Sequence, residues 1–291
     1  MEIRPLLNND QAALEQFLGR HLESSLTLLH QCRAHGLERS LQNHAGIFYG
    51  AFSAKELEGV VAHFADRSLI VQAPSGLNKL IPELIRHTPF AVEGIFGPPG
   101  QANQTLALLL EDRSQVQMNE DGCLYELALE MLILPQNLCT GRLTADVAET
   151  DHLPFLRQWY GDYLTETLRA KNNPLKRQEG QRAADRSVHD QRAWILCDDE
   201  QPVSCCEISA LLDEAVQVGL IFTPSEYRCR RYARSVVAAC LYAAWKQSIP
   251  KAYIFCNKSN SAALKLLSIL GFTPSDTYKR ILLRQPVRFQ V

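Results

Sequence analysis

The 291-residue sequence has no long apolar run and almost no net charge. No uninterrupted apolar stretch reaches the roughly 20 residues that a helix needs to cross a bilayer. The first ten residues include Glu2, Arg4 and Asp10 and lack the apolar core of a signal peptide. We therefore expect a cytoplasmic protein. Its formal net charge of −2 gives no general attraction to nucleic acid or to an anionic membrane.

The cysteines lack any pattern that binds metal or builds a disulfide framework. There are nine, an odd number, with no C-x-x-C pair and no histidine cluster at ligand spacing. We expect no metal site, and reduced thiols that serve as small apolar side chains. The adjacent Cys205 and Cys206 are expected to point to opposite faces of one strand.

Length and composition predict two globular domains. The chain is 46% apolar and 21% charged, and it is longer than an average single domain. Strand and helix patterns in the second half recur more weakly in the first, at a period of roughly 140 residues, far longer than a solenoid repeat. The segment 132–142, with Pro135, Asn137 and Gly141, is the natural linker. We predict domains at 1–134 and 143–291, joined by a linker at 135–142.

The second half alternates strands and helices in the order of a βαβ unit. Short apolar runs predict strands, and i, i+3, i+4 stripes predict helices. Gly271 is expected to end the last helix, and 169–177 is expected to be a solvated loop. The predicted helices are 152–168, 179–189, 233–244 and 260–270, and the predicted strands are 193–197, 203–211, 215–222 and 252–256.

The first half follows the same scheme. Gly97-Pro98-Pro99-Gly100 is expected to be a turn, because prolines remove the N–H donors that a phosphate cradle needs. The loop 73–77 contains no arginine. We therefore expect a module without a phosphate site. The predicted strands are 3–7, 46–52, 59–64, 68–72, 92–96 and 123–129, and the predicted helices lie in 12–35, 77–86 and 101–110.

A basic loop separates the predicted strand 215–222 from the helix that follows it. A strand that leads through such a loop into a helix N-terminus is a recurrent phosphate-binding arrangement, because free backbone N–H groups and the helix dipole face the anion. The loop supplies Arg228, Arg230 and Arg231. These residues predict a diphosphate site at 228–233.

This stretch resembles the central motif of the GNAT N-acetyltransferases, whose loop reads Arg/Gln-x-x-Gly-x-Gly/Ala. Asn260-Ser261-Ala262-Ala263 and Leu270-Gly271-Phe272 resemble a further family segment. The whole chain is similar to bacterial tandem-GNAT proteins, in which a degenerate N-terminal module precedes a working one. The resemblance implies an α/β fold of two GNAT-like modules, each a mixed, mostly antiparallel sheet flanked by helices.

The resemblance also implies acetyl-CoA as co-substrate and an unidentified primary amine as acceptor. Expected partners include neither nucleic acid nor membrane, and a homodimer is left open. The splayed parallel strands would supply a backbone donor for the thioester carbonyl. The residues expected to bind the coenzyme are Ile221, Phe222, Thr223, Arg228, Cys229, Arg230, Arg231, Tyr232, Ala233, Asn257 and Asn260.

Two positions depart from the family pattern. Arg231 stands where the motif has glycine, and a left-handed non-glycine residue costs about 1 kcal/mol. Leu267 stands where many GNAT enzymes carry the tyrosine that protonates the leaving thiolate. Ser268, Cys256, Tyr253 or solvent would have to replace it, or the domain is not catalytic.

The candidate general base is Glu207, on the strand 203–211, where alternation would bring its carboxylate to the groove. An exposed structural carboxylate is the competing interpretation, and His189, Tyr227 and Tyr232 are weaker candidates. The sequence thus predicts an acyl-CoA-dependent N-acyltransferase. The alternative is a non-catalytic pseudo-acetyltransferase that binds acyl-CoA or other proteins.

Overall fold

The computed structural model describes residues 1–38, 46–167 and 174–288. The chain forms two compact units. Unit 1 consists of Met1–Leu124 together with Ser275–Val291, and unit 2 consists of Tyr125–Pro274.

These limits differ from the boundaries expected from the sequence. The C-terminal segment from Ser275 onward belongs to unit 1, because its strand pairs with a strand of that unit. The expected linker 135–142 lies within unit 2 and contains a short helix, Gln136–Cys139. Pattern analysis places breaks where turn-forming residues cluster, whereas strand pairing decides which unit a segment joins.

Unit 1 contains a sheet in the order β1-β2-β3-β4-β5-β12. Its β4 and β5 are parallel, and the other pairs along this order are antiparallel. The first part of β6, up to Leu124, also belongs to this unit. The elements are β1 (Glu2–Pro5), α1 (Gln11–Gly19), α2 (Leu22–His35), β2 (Ile47–Ser53), β3 (Glu56–His63), β4 (Ser68–Gln72), α3 (Leu77–His87), β5 (Val92–Gly97), α4 (Pro99–Leu109), β6 (Val116–Ala128) and β12 (Thr273–Val287).

Unit 2 contains a sheet in the order β11-β10-β9-β8-β7, with the end of β6 beside β11. Its β10 and β11 are parallel, whereas β7 to β10 pair antiparallel. The elements are α5 (Gln136–Cys139), β7 (Leu143–Val147), α6 (Leu153–Thr167), α7 (Pro174–His189), β8 (Ala193–Asp198), β9 (Gln201–Leu211), β10 (Val216–Phe222), α8 (Tyr232–Lys246), β11 (Lys251–Asn257) and α9 (Ser261–Leu270).

Each unit is therefore a mixed, mostly antiparallel sheet with helices, as the sequence predicted. In unit 2 the helices pack on both faces of the sheet. One core joins α8 and α9 to the strands, and the other joins α6 and α7 to them. Cys206 lies in the first core and Cys205 in the second, which confirms the prediction that the two thiols face opposite sides.

The predicted elements of the βαβ region are confirmed, and Gly271 ends α9 with a left-handed φ of 97°. The loop expected at 169–177 is wrong for its last residues, because α7 begins at Pro174; residues 168–173 lie outside the described ranges. Proline is favourable in a first helical turn, where its missing N–H costs no hydrogen bond.

The turn expected at 97–100 is also wrong, since α4 begins at Pro99 by the same effect. The strands β7 and β12 and the first half of β6 were missed, because polar and charged residues interrupt their apolar pattern. None of the helices in the described ranges is long and apolar enough to span a membrane.

Candidate active site

The parallel strands of unit 2 separate part of the way along their length. β10 and β11 are paired at three positions, from Val216 opposite Ala252 to Val218 opposite Ile254. β10 then continues to Phe222 beside β9, and β11 continues to Asn257. The backbone edge of β10 beyond Val218 therefore has no pairing with β11, which agrees with the splayed strands that the family resemblance implies.

A bulge lies where the cleft opens. The register of β10 against β9 shifts between Val218 and Ile221, so that Gly219 and Leu220 stand opposite the single residue Glu207. An extra residue of this kind turns the following side chains to the other face of the sheet. Val216 and Val218 accordingly pack in the core with α8, whereas Leu220 and Phe222 pack in the core with α6 and α7.

The loop from Thr223 to Arg231 connects β10 to α8 through a 3₁₀ turn at Ser225–Tyr227. Two of its residues have left-handed backbones, Cys229 with φ 65° and Arg231 with φ 69°. Arg231 directly precedes α8. The backbone is therefore the one that glycine favours, although arginine occupies the position.

The N-terminus of α8 opens at this loop. Its first main-chain bond runs from the N–H of Ser235 to the carbonyl of Arg231, at 3.3 Å. The N–H groups of the preceding helical residues have no acceptor inside the helix, as at every helix N-terminus. Together with the helix dipole, these groups favour an anion beside Tyr232 and Ala233.

The arginines of the loop differ in their contacts. Arg228 donates from Nε to the carbonyl of Thr223, and its terminal nitrogen contacts both carboxylate oxygens of Glu166, all at 2.9 Å. Arg230 and Arg231 are exposed. The guanidinium of Arg228 also lies 5.7 Å from the ring centroid of Phe222.

Two side-chain contacts fix the ends of the loop. At its start, the buried hydroxyl of Ser204 donates to the carbonyl of Phe222 at 2.9 Å and lies 2.8 Å from the Thr223 hydroxyl. At its end, the hydroxyl of Tyr232 donates to Asp198 at the end of β8. This carboxylate raises the pKa of Tyr232, with burial acting in the same direction. Tyr232 therefore holds the start of α8 against the sheet.

Glu207 lies among polar groups on the α6 and α7 side. Its carboxylate is 3.4 Å from Arg192, and its side chain is 18% exposed. The hydroxyls of Tyr160 and Ser187 both hydrogen-bond to the carboxylate of Glu207. The Tyr160 hydroxyl also lies 3.1 Å from the Ser187 hydroxyl. Burial raises the pKa of Glu207, and the positive charge of Arg192 opposes this effect. The competing interpretation of Glu207 as an exposed structural carboxylate is wrong, because α6 and α7 cover this face of the sheet.

The remaining candidates have local partners. Asn260 is the N-cap of α9 and accepts from the N–H of Ala263 at 3.1 Å. The side chain of Asn257 accepts from the N–H of Ser259 at 2.9 Å. His189 is exposed beside Asp190. These contacts satisfy the side chains locally and give His189 no place in the cleft.

The groups considered as proton donors are also placed. Leu267 is 1% exposed and lies in the core with α8. Tyr253 donates to Glu126, and Ser268 is exposed. The thiol of Cys256 lies 3.4 Å from the carbonyl of Asn257. Leu267 is thus a core side chain and has no proton to donate.

Sequence analysis missed three residues that shape this site, namely Glu166, Asp198 and Ser204. They lie 62, 34 and 18 residues from their respective partners, which are Arg228, Tyr232 and Phe222. No sequence pattern connects residues at such separations. In the described part of the chain, no group of three or more His, Cys, Asp or Glu is arranged to hold a metal ion.

Comparison with known proteins agrees with this geometry. The acetyltransferase (GNAT) domain family matches residues 142–273. No curated protein matches the chain by sequence.

Among solved structures, a Drosophila protein from a structural genomics programme has a TM-score of 0.70 and 14% identity, with 97% of this chain and 98% of that chain covered. A GNAT-family acetyltransferase from Colwellia psychrerythraea has a TM-score of 0.54 and 14% identity, with 98% and 100% covered. A tandem GNAT protein from the clavulanic acid biosynthesis pathway has a TM-score of 0.58 and 11% identity, with 98% and 99% covered. At these identities the likeness shows the fold alone.

The fold is thus that of two tandem GNAT-like modules, and the second module carries the matched domain. Domains of this family are of the acyl-CoA-dependent N-acyltransferase type and use an acyl-CoA as co-substrate. Residues 142–273, which lie in unit 2, thus form a domain that matches the acetyltransferase (GNAT) domain family.

Proposed function

We propose that unit 2 binds acetyl-CoA in the cleft between β10 and β11 and transfers its acetyl group to a primary amine. The observation that carries this proposal is the order in which three structural features follow one another along β10 and the loop after it. Pairing with β11 stops at Val218, a bulge follows, and the strand then leads through an arginine-bearing, left-handed loop into α8. Each of these features matches one part of the co-substrate.

The diphosphate would lie at the start of α8. Free backbone N–H groups and the helix dipole stabilise its charge, and arginine adds charge-assisted hydrogen bonds. The left-handed conformations of Cys229 and Arg231 turn the backbone of the loop toward this point. The open edge of β10 beyond Val218 offers backbone donors for the pantetheine arm and the thioester carbonyl.

The chemistry would be direct transfer. The neutral amine attacks the thioester carbon, the carbon–sulfur bond breaks, and coenzyme A leaves as the thiolate. Glu207, opposite the bulge, is our candidate for the base that accepts the amine proton. The pKa of Glu207 is raised, and therefore lies closer to physiological pH than that of an ordinary carboxylate, which favours proton transfer. Water protonates the thiolate, because Leu267 carries no proton to donate.

Calorimetry with acetyl-CoA, followed by thiol release with a panel of amines, tests this proposal. The panel contains amino acids, aminoglycosides, polyamines and peptides with free N-termini. We expect binding by the wild type, and thiol release with at least one class of amine. Glu207→Gln should bind acetyl-CoA like the wild type and lose about 100-fold or more in turnover, the range for a lost general base. Asp213→Asn, an exposed change in the same unit, is the control and should retain turnover.

One observation favours a second candidate function. Leu267, buried in the core, stands where many family members carry an acid. A pseudo-acetyltransferase that binds acyl-CoA without turning it over would need no acid there. Tight binding without thiol release across the whole panel would establish this alternative, and absence of binding would refute both.

A further inference from the structure

One arginine of the loop forms an ion pair with a carboxylate of the protein itself. The terminal nitrogen of Arg228 lies 2.9 Å from each oxygen of Glu166, in the last turn of α6. Both residues belong to unit 2. A guanidinium binds carboxylate and phosphate with the same N–H donors. Glu166 therefore occupies donors that the proposed function gives to the diphosphate.

This ion pair is open to displacement. The side chains of Arg228 and Glu166 are 45% and 54% exposed. Pairs this exposed contribute little to stability and are screened by salt. A diphosphate carries more charge than one carboxylate and has the start of α8 beside it, so it can replace Glu166 as the partner of Arg228.

A second contact keeps Arg228 in place without Glu166. Its Nε donates to the carbonyl of Thr223 at 2.9 Å, and its guanidinium lies near the ring of Phe222. Phe222 is the last residue of β10, and Thr223 is the first residue of the loop. Removing the charge of Glu166 would therefore free the terminal donors of Arg228 while leaving the side chain beside the diphosphate site.

We infer that Glu166 is an internal competitor for Arg228 and sets the affinity of the site for acyl-CoA. The inference rests on the proposed function, which places the diphosphate at this loop. In the free protein the carboxylate neutralises Arg228, and co-substrate binding has to break that pair. The affinity is accordingly lower than the loop alone would give.

Calorimetric titration with acetyl-CoA at low ionic strength tests this inference on the wild type, Glu166→Gln and Arg228→Ala, and on the double variant. The matched control is Asp185→Asn in α7. Asp185 forms a similarly exposed pair with Arg157, at 2.6 Å, so the variant changes the net charge of unit 2 equally. Thermal melting of each variant checks that the fold is retained.

We expect Glu166→Gln to lower the Kd about three- to tenfold, with Asp185→Asn within twofold of the wild type. The gain should shrink at 0.5 M salt and fall below twofold when Arg228 is already alanine. An unchanged or weaker Kd for Glu166→Gln would overturn the inference, as would an equal gain in both Arg228 backgrounds. If neither the wild type nor Glu166→Gln binds acetyl-CoA, the proposed function itself is refuted, and this inference with it.

Discussion

Each unit contains a strand, a loop and a helix in the same order, but the loop of unit 1 has no arginine and the loop of unit 2 has three. In unit 1 a parallel pair of strands leads through 73–76 into α3, and in unit 2 a parallel pair leads through 223–231 into α8. Both helices follow a residue with a left-handed backbone. That residue is Gly76 in unit 1, with φ 82°, and Arg231 in unit 2, with φ 69°.

In unit 1 the protein's own groups occupy the region around the loop. The side chain of Gln101, in α4, accepts a hydrogen bond from the N–H of Ala73 at 2.6 Å. The sulfur of Met1 and the methyl group of Ala51 lie within about 3 Å of where a Cβ at Gly76 would be, at 2.7 and 3.1 Å. Unit 1 thus has glycine at this position, with side chains of the protein packed beside it, whereas unit 2 has arginine there and two further arginines in the loop. The backbone conformation of the loop does not by itself identify a working site.

The buried titrating groups of the two units predict opposite responses to pH. Burial lowers the pKa of His63 in unit 1 to about 4. The ring is held by Thr88 at 2.9 Å and by the carbonyl of Ala91 at 3.2 Å, with Phe90 edge-on and the charge of Asp66 opposing the shift. The unfolded state binds the proton more tightly, so stability is lost as pH falls from 6.5 to about 4. The loss reaches about 3 kcal/mol.

The raised pKa of Glu207 gives unit 2 the reverse slope, since its contribution is lost as pH rises through the folded-state pKa. Hydrogen exchange resolved by unit, at pH 4.5 and 7, measures both slopes. His63→Gln should abolish the acid sensitivity of unit 1, and Glu207→Gln should flatten the slope of unit 2. Parallel slopes in the two units would contradict this assignment.

Glycine substitutions in the two parallel-strand regions should differ in cost. A Cβ at Gly97, in β5, would lie 2.5 Å from the carbonyl oxygen of Val71 in β4, and backbone cannot easily move. A Cβ at Gly219, in β10, would meet the side chain of Ser209 at 3.0 Å and the carbonyl oxygen of Glu207 at an ordinary contact distance of 3.9 Å. We expect Gly97→Ala to cost about 2 kcal/mol and Gly219→Ala less than about 1 kcal/mol. Denaturant unfolding measures both, and equal costs would mean that unit 1 keeps a cleft as open as that of unit 2.

Substitutions at the two left-handed residues, Gly76 and Arg231, should shift the stability of their units in opposite directions. Gly76→Ala should destabilise unit 1 by about 1 kcal/mol, because its backbone disfavours a Cβ. Arg231→Gly should stabilise unit 2 by about 0.5 kcal/mol, since relief of strain exceeds the entropy that glycine adds to the unfolded chain. Thermal unfolding of the two variants decides the sign of each. A destabilised Arg231→Gly would show that the arginine side chain makes contacts that outweigh its backbone strain.

The smallest expected effect concerns the hydrogen bond between Gln101 and the N–H of Ala73 in unit 1. Gln101→Ala leaves the N–H of Ala73 without its acceptor and should cost about 1 kcal/mol or less, because water can reach this partly buried group. Calorimetry should still give one acetyl-CoA per chain, since loop 73–76 has no arginine. A stoichiometry of two would show that Gln101 alone had closed a functional site.

Much of the fold was predictable because its signals are local. The strand–loop–helix of unit 2, the end of α9 at Gly271 and the opposed faces of Cys205 and Cys206 all follow from periodicity and turn chemistry within short windows. The strand β12 escaped prediction because Lys279 and Arg280 interrupt its alternation. Lys279 is nevertheless only 5% exposed, satisfied by Asn119 at 2.7 Å and Asp121 at 2.9 Å.

Some features of the candidate site were likewise predictable from local sequence, and others depend on tertiary contacts. The sequence alone determined the order of the elements from α6 to α9, the arginines of the loop, and the presence of arginine at 231 and leucine at 267, since these depend only on neighbours along the chain. Tertiary structure decided that the C-terminal strand completes unit 1, that β10 bulges opposite Glu207, and that Glu166 reaches Arg228 across 62 residues. Strand register and ion pairing join distant segments through space, so no local pattern of residues encodes them.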